Sequence, residues 1–139
     1  MELAIKEAKK AALRDEIPIG AIIKEDSGKV IAKESNKIIE LCDPTAHAEI
    51  NAIRIACTVR KDLYLSDCTM YVTLEPCIMC AGASYWTRIK KIVFGAFDKK
   101  RGFLLLNEPI IHPKSEVVGG VLEEECSKLL KDFFGKKRQ

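Results

Sequence analysis

The sequence predicts an α/β fold, a mixed sheet covered by helices on both faces. Three observations carry that reading. The β-branched, apolar stretch "IPIGAIIKED" runs through the turn "EDSGK" into a second such stretch, "KVIAKESN", so the two predict an antiparallel hairpin. Beyond the hairpin, segments with helical and strand patterning alternate. Amphipathic helical patterns stand at both ends of the chain.

Taken in order, Leu3 to Arg14 reads as an amphipathic helix. Its apolar stripe is Leu3, Ala4, Ala8, Ala11 and Ala12, with Ile5 a further candidate. The hairpin follows. Asp43 and Pro44 then mark a helix start, with Asp43 or Thr45 as the cap, and the helix runs through "AHAEINAIRIAC". "CTMYVTLE" is rich in Thr, Tyr and Val and predicts a strand, "CIMCAGASYW" a helix, "IKKIVFGA" a strand and "SEVVGGV" a short strand. "LEEECSKLLKDFF" predicts a closing helix with Leu122, Cys126, Leu129, Leu130 and Phe133 on one face.

The bulk properties bound the function. At 139 residues, 1–139 is expected to form a single domain with one core. Hydrophobic residues make up 47% and charged residues 31%, which excludes a disordered chain. The net charge of +3 permits an anionic partner without demanding one. The start, "MELAIKEAKKAALRDE", lacks the apolar core of a signal peptide, and no run is long enough to span a bilayer. A soluble, cytoplasmic protein with no membrane partner is therefore expected. Six cysteines in that setting favour metal or redox chemistry over structural disulfides.

The chemistry concentrates in two stretches. "DPTAHAEINA" holds His47, one of two histidines in the chain, with Glu49 two residues on. "LEPCIMCAGA" holds Cys77 and Cys80 as a C-x-x-C. Both lie where a strand or loop turns into a helix. The first amides of a helix have no intrahelical partner there, and the positive end of its dipole favours a thiolate at Cys77. Cys80 lies about one turn on, so both sulfurs can face one point, and His47 can supply a third ligand from the other helix. One His and two Cys form a known catalytic zinc set with a fourth position left for water. Two thiolates cancel the zinc charge, so such a site acidifies its water less than three histidines would, and a nearby base becomes valuable. Residues i and i+2 of a helix point in different directions, so Glu49 reads as that base and not as a fourth ligand. A lone C-x-x-C is also compatible with a redox pair or half of a structural zinc site. Cys42, Cys57, Cys68 and Cys126 are scattered singly and read as ordinary buried residues.

H-x-E followed by P-C-x-x-C is the signature of zinc-dependent base deaminases. From "IPIGAII" to "KDFF" the chain resembles the bacterial tRNA-specific adenosine deaminases of the cytidine deaminase superfamily. "DPTAHAEI", "LYLSDCTMYVTLEPCIMCAGA" and "IVFGAFDKKRG" carry the resemblance. It implies a three-layer α/β/α cytidine-deaminase-like fold with a five-stranded mixed sheet, and a homodimer with one Zn²⁺ per subunit. It implies a tRNA anticodon stem-loop as partner, with the wobble adenosine converted to inosine. Asn36 matches the family asparagine that holds the base. The amide of Ala48 and the carbonyl of Pro76 match family groups near the reacting base. Asp98 matches an acidic residue of the RNA-contacting segment, which makes the adjacent Lys99, Lys100 and Arg101 candidate RNA contacts. The terminal Lys136, Lys137 and Arg138 are open to either reading, phosphate contact or solvated charge.

Two places depart from that family. Tyr85 and Trp86 in "ASYWTR" resemble guanine deaminases, although Trp86 also falls late in an apolar helix, where core packing is the ordinary expectation. After "KKRG" the segment "FLLLNEPIIHPKSEVVGG" is shorter than in the tRNA enzymes, and its His112 has no assigned role. Deamination of a free base such as guanine or cytosine is therefore the first alternative. A catalytically silent zinc-binding or RNA-binding module is the second, and Glu49 argues against it, because a structural zinc site has no use for that carboxylate.

Overall fold

The computed structural model describes residues 1–138. The elements in chain order are α1 (Glu2–Leu13), β1 (Gly20–Glu25), β2 (Val30–Ser35), α2 (Ala48–Arg60), β3 (Cys68–Leu74), α3 (Ile78–Thr87), β4 (Lys91–Ala96), β5 (Glu116–Val118) and α4 (Glu123–Lys137). The strands form one sheet in the order β2-β1-β3-β4-β5. β1 pairs antiparallel with β2 and with β3, whereas β3, β4 and β5 run parallel. This is the five-stranded mixed sheet that the patterning and the resemblance lead one to expect.

The helices lie on both faces. α2 and α3 pack on one face over Ile23, Met70, Val72, Ile92 and Phe94, and α1 and α4 pack on the other around Ile5, Ala96 and Cys126. Strands covered on both sides lose their period-two alternation. Accordingly the first four residues of β1 are buried in succession, as are the last five of β4. Gly20 shows how close the layers come: a Cβ there would collide with the Ala4 carbonyl oxygen of α1. No helix of the described residues is long and apolar enough to cross a membrane.

Several expectations are corrected. α2 begins at Ala48 with His47 as its N-cap, not at Asp43 or Thr45. The Asp43 carboxylate accepts the Thr45 amide at 2.8 Å and the Thr45 hydroxyl at 2.7 Å. This local turn competes with helix and delays its start. In α1 the buried residues are Ala4, Ile5, Ala8 and Ala11, so Ile5 belongs to the stripe and the exposed Leu3 does not. The buried face of α3 is Cys80, Ala81, Ser84 and Thr87. Trp86 lies off that face and is 76% exposed, which overturns the core reading. Of the four scattered cysteines, Cys68 and Cys126 are buried, but Cys57 is half-buried and Cys42 exposed, because the latter sits in the loop between β2 and α2. The segment after "KKRG", for which no burial was predicted, buries Phe103 and exposes Leu104, Leu105 and Leu106.

The candidate metal centre and active site

The parallel order of β3 and β4 sends both strands toward the same end of the sheet, where a crevice forms beyond their carboxyl ends. A cavity of about 710 Å³ opens there. Ile17, Ile19, Asn36, His47, Glu49, Leu74, Glu75 and Cys77 form its deeper part, and Phe97, Lys99, Lys100, Arg101 and Phe134 its rim. Asn36, Glu49 and Glu75 are buried, while the rim residues are exposed.

Two helix starts converge on this cavity. His47 is the N-cap of α2 and Cys77 the N-cap of α3, both in extended backbone. Cys80 follows in the first turn of α3 and is fully buried. His47 Nδ1 lies 3.7 Å from Cys77 Sγ and 3.5 Å from Cys80 Sγ. Zinc bonds of about 2.3 Å to sulfur and about 2.05 Å to nitrogen at a tetrahedral angle separate the two atoms by about 3.6 Å. The donor set and its spacing therefore fit zinc, held by His47, Cys77 and Cys80.

The electrostatics agree with that fit. Among the protein's own groups, Cys77 is lowered to about 4, first by the Cys80 thiol that donates to it and then by His47. Cys80 is pushed upward because it shares its proton with Cys77 and is buried. His47 is raised, chiefly by its hydrogen bond with Cys77. The three groups thus share protons that a cation can replace.

Glu49 stands beside this set. Burial, the leading cause, raises its carboxyl to about 7. Its Oε1 is buried with no hydrogen-bond partner among the described residues. An unpartnered buried carboxylate oxygen in a cavity is costly unless a ligand meets it.

The other expected residues are placed as follows. Asn36 lines the cavity, and its Oδ1 accepts the Ala48 amide at 2.9 Å. That bond fixes the amide's orientation and leaves Nδ2 as the donor Asn36 can offer a ligand. The Ala48 amide is thereby engaged, and the Pro76 carbonyl accepts the Phe103 amide at 3.0 Å. Asp98 lines the cavity and its Oδ1 accepts the amides of Lys100 and Arg101, both at 3.0 Å. Lys99, Lys100 and Arg101 come to the rim, whereas Lys137 of the terminal run pairs with Asp15. His112 lies in the loop before β5, its ring 5.6 Å from that of Tyr85, away from the cavity.

Three buried side chains escaped the sequence reading. Glu16 accepts the amides of Ile39 at 3.1 Å and Glu40 at 2.9 Å, holding the turn that brings Ile38 to the cavity. Asn51 donates to the carbonyls of Ser35 at 2.9 Å and Ala46 at 3.1 Å, tying together the residues that precede Asn36 and His47. Glu75 accepts the amides of Asp98 at 3.0 Å and Leu104 at 2.9 Å. A signal was present for Glu75, a lone charged residue directly after the uncharged strand β3. Nothing in the sequence distinguishes Glu16 from the charged residues around it.

Comparison with known proteins agrees with this geometry. A family model described as the cytidine and deoxycytidylate deaminase zinc-binding region matches residues 1–96. The chain is 46% identical to a tRNA-specific adenosine deaminase of Aquifex aeolicus (strain VF5) over 143 residues, 99% of this chain and 93% of that protein. A solved structure from a study of A-to-I editing by tRNA:A34 deaminases at the wobble position is similar with a TM-score of 0.87 and 44% identity, covering 94% of this chain and 97% of the other. A guanine deaminase structure from Bacillus subtilis is 41% identical but covers 69% of this chain and 61% of its own, with a TM-score of 0.66.

Proposed function

The chain belongs to the cytidine and deoxycytidylate deaminase family, with full-length relatives among the tRNA-specific adenosine deaminases, and from that premise we propose that it deaminates the wobble adenosine of a tRNA anticodon to inosine. The observation that carries the chemistry is the unpartnered Glu49 oxygen beside the His47, Cys77 and Cys80 set.

Zinc held by His47, Cys77 and Cys80 would supply a Lewis acid that eases deprotonation of a water, the nucleophile for the amine-bearing carbon of the base. The chain's own residues do the rest. Glu49 takes one proton from that water and gives it to the ring nitrogen, then takes the proton of the newly added hydroxyl as the carbonyl forms and gives it to the amine, which leaves as ammonia. Its carboxyl, raised to about 7, suits both taking and giving a proton near neutral pH. Asn36 Nδ2 orients the base by donating to a ring acceptor. Ile17, Ile19 and Leu74 keep bulk water from the reacting atoms. Lys99, Lys100 and Arg101 at the rim can meet the flanking phosphates of a splayed anticodon loop, and the exposed rings of Phe97 and Phe134 offer faces to unstacked bases. An exposed basic rim suits a polymer better than a free base, which needs a closed pocket.

The test uses purified, zinc-loaded protein with an anticodon stem-loop carrying adenosine at the wobble position and, separately, free guanine, cytosine and adenine. The expected result is inosine in the RNA with no ammonia from the free bases. Ammonia from a free base with the RNA untouched overturns the substrate and makes Tyr85 and Trp86 the better guide.

The reading extends to a cytoplasmic homodimer, since anticodons are modified where tRNA circulates and α2 and α3 leave apolar surface outside. Ile55, Val59, Leu63, Tyr64, Ile78 and Trp86 are between 41% and 76% exposed. Ile55 and Val59 lie on α2, Ile78 and Trp86 on α3, and Leu63 and Tyr64 in the loop after α2, and exposed large apolar side chains gathered on one helical layer are what an interface covers. Trp86→Lys is expected to halve the mass found by light scattering at micromolar concentration. An unchanged monomeric mass in both proteins rejects the dimer.

A further inference from the structure

Glu75 is almost fully buried, yet it is not a metal ligand, and both its oxygens face backbone amides of one distant loop. Oε1 accepts the amide of Asp98 at 3.0 Å, and Oε2 accepts that of Leu104 at 2.9 Å. These amides bracket the turn that carries Lys99, Lys100 and Arg101. A Cβ on Gly102 would collide with the Glu75 carboxylate, so glycine at this position is what lets the side chain seat. The turn is also closed from within, by Asp98 Oδ1 on the amides of Lys100 and Arg101. A single antiparallel bridge between Cys77 and Gly102, with the Phe103 amide on the Pro76 carbonyl at 3.0 Å, joins this loop to the start of α3.

The consequence is mechanical. Glu75 immediately precedes the Pro76-Cys77 pair at the metal centre, and its side chain grips the loop that bears three cations at the cavity rim. A buried carboxylate holding two amides is a strong and directional bracket, because charge-assisted hydrogen bonds are roughly twice as strong as neutral ones. We propose that Glu75, seated against Gly102, is a positioning residue that sets the Lys99–Arg101 turn at a fixed place relative to the metal centre, and so determines where the RNA substrate's phosphates are held. The proposal rests on the RNA reading above.

The experiment measures binding of the anticodon stem-loop across a series of salt concentrations, with zinc-loaded proteins that all carry E49Q so that the RNA is not consumed. The added changes are E75Q, G102A, the triple K99A/K100A/R101A, and E75Q with the triple. Gln at 75 keeps one acceptor oxygen but turns an NH₂ group toward the second amide. Each phosphate of a single strand that the protein ceases to neutralise makes log Kd less steep in log salt by about 0.7. E75Q and G102A are expected to weaken binding about tenfold at moderate salt and to flatten the slope as the triple does. Adding E75Q to the triple is expected to cost nothing more, since both act on the same phosphates. Zinc content stays at one per chain throughout.

E75Q acting independently of the triple, weakening binding at an unchanged salt slope, or losing zinc overturns the proposal. If E75Q does not fold, G102A decides, because its methyl displaces the same carboxylate. A triple that leaves the slope unchanged, where the parent with Glu49 intact binds and deaminates the stem-loop, overturns the proposal and leaves the function standing. A zinc-loaded wild type that neither binds nor deaminates the stem-loop removes the functional reading, and the proposal with it.

Discussion

Replacing Glu49 with Gln is expected to leave one zinc per chain and reduce turnover by about a thousandfold or more. Gln is nearly isosteric, so the packing of the buried site is kept, but it can neither take the proton from the attacking water nor give it to the leaving ammonia. The loss corresponds to about 4 kcal/mol of transition-state stabilisation. Glu49 is buried in a cavity it shares with His47 and Cys77, and its Oε1 has no other partner among the described residues. The pH profile follows from the same group. Burial favours the protonated acid and raises the carboxyl to about 7. The base form is therefore lost as pH falls, and kcat/KM drops on the acid side, approaching tenfold per pH unit well below the pKa. E49Q should lack that acid limb. Elemental analysis, single-turnover rates and the profile together check the assignment. Near-normal turnover in E49Q, with zinc in place, removes Glu49 from the mechanism.

Cys80→Ala is expected instead to lose the metal and, with it, all activity. Cys80 is fully buried, its sulfur 3.5 Å from His47 Nδ1, and it completes the only cluster of His, Cys, Asp and Glu donors found among the described residues. Removing one of three protein ligands leaves a pair, too few for a catalytic zinc. Zinc per chain should fall from one to near zero after dialysis against a mild chelator, while the wild type keeps its ion. Because the metal binds the folded state, the wild type should also lose thermal stability when stripped, and Cys80→Ala should show little further change. Full zinc occupancy in the purified variant excludes Cys80 as a ligand. The two variants separate the chemistry: E49Q keeps the metal without turnover, and Cys80→Ala loses both.

The two halves of the candidate zinc set were legible because each depends on short-range order. His47 and Glu49 are two residues apart, Cys77 and Cys80 are one turn apart, and each pair opens a helix. Strand and helix periodicity then predicted every regular element of the sheet and its layers, since burial on one or both faces writes itself into the spacing of apolar residues. Helix starts were less legible. At Asp43 a side chain closes a local turn, and the same residue types cap helices, so composition alone does not separate the two outcomes.

What the sequence by itself determined is thus the α/β pattern, the donor set for a metal and the presence of a carboxylate beside it. The two halves of that set, His47 with Glu49 and Cys77 with Cys80, are short-range patterns, whereas their meeting across 30 residues belongs to the fold. Only the tertiary structure decided that Glu16, Asn51 and Glu75 bind backbone groups of other segments, that Trp86 faces outward, and that Lys99, Lys100 and Arg101 reach the rim of the same cavity as Glu49. The physical reason is range. Glu16 and Glu75 satisfy amides 23 to 29 residues away, which leaves no period in their own neighbourhood, and the exposure of a helix end depends on which layer covers it. Such facts come into being when the chain closes on itself.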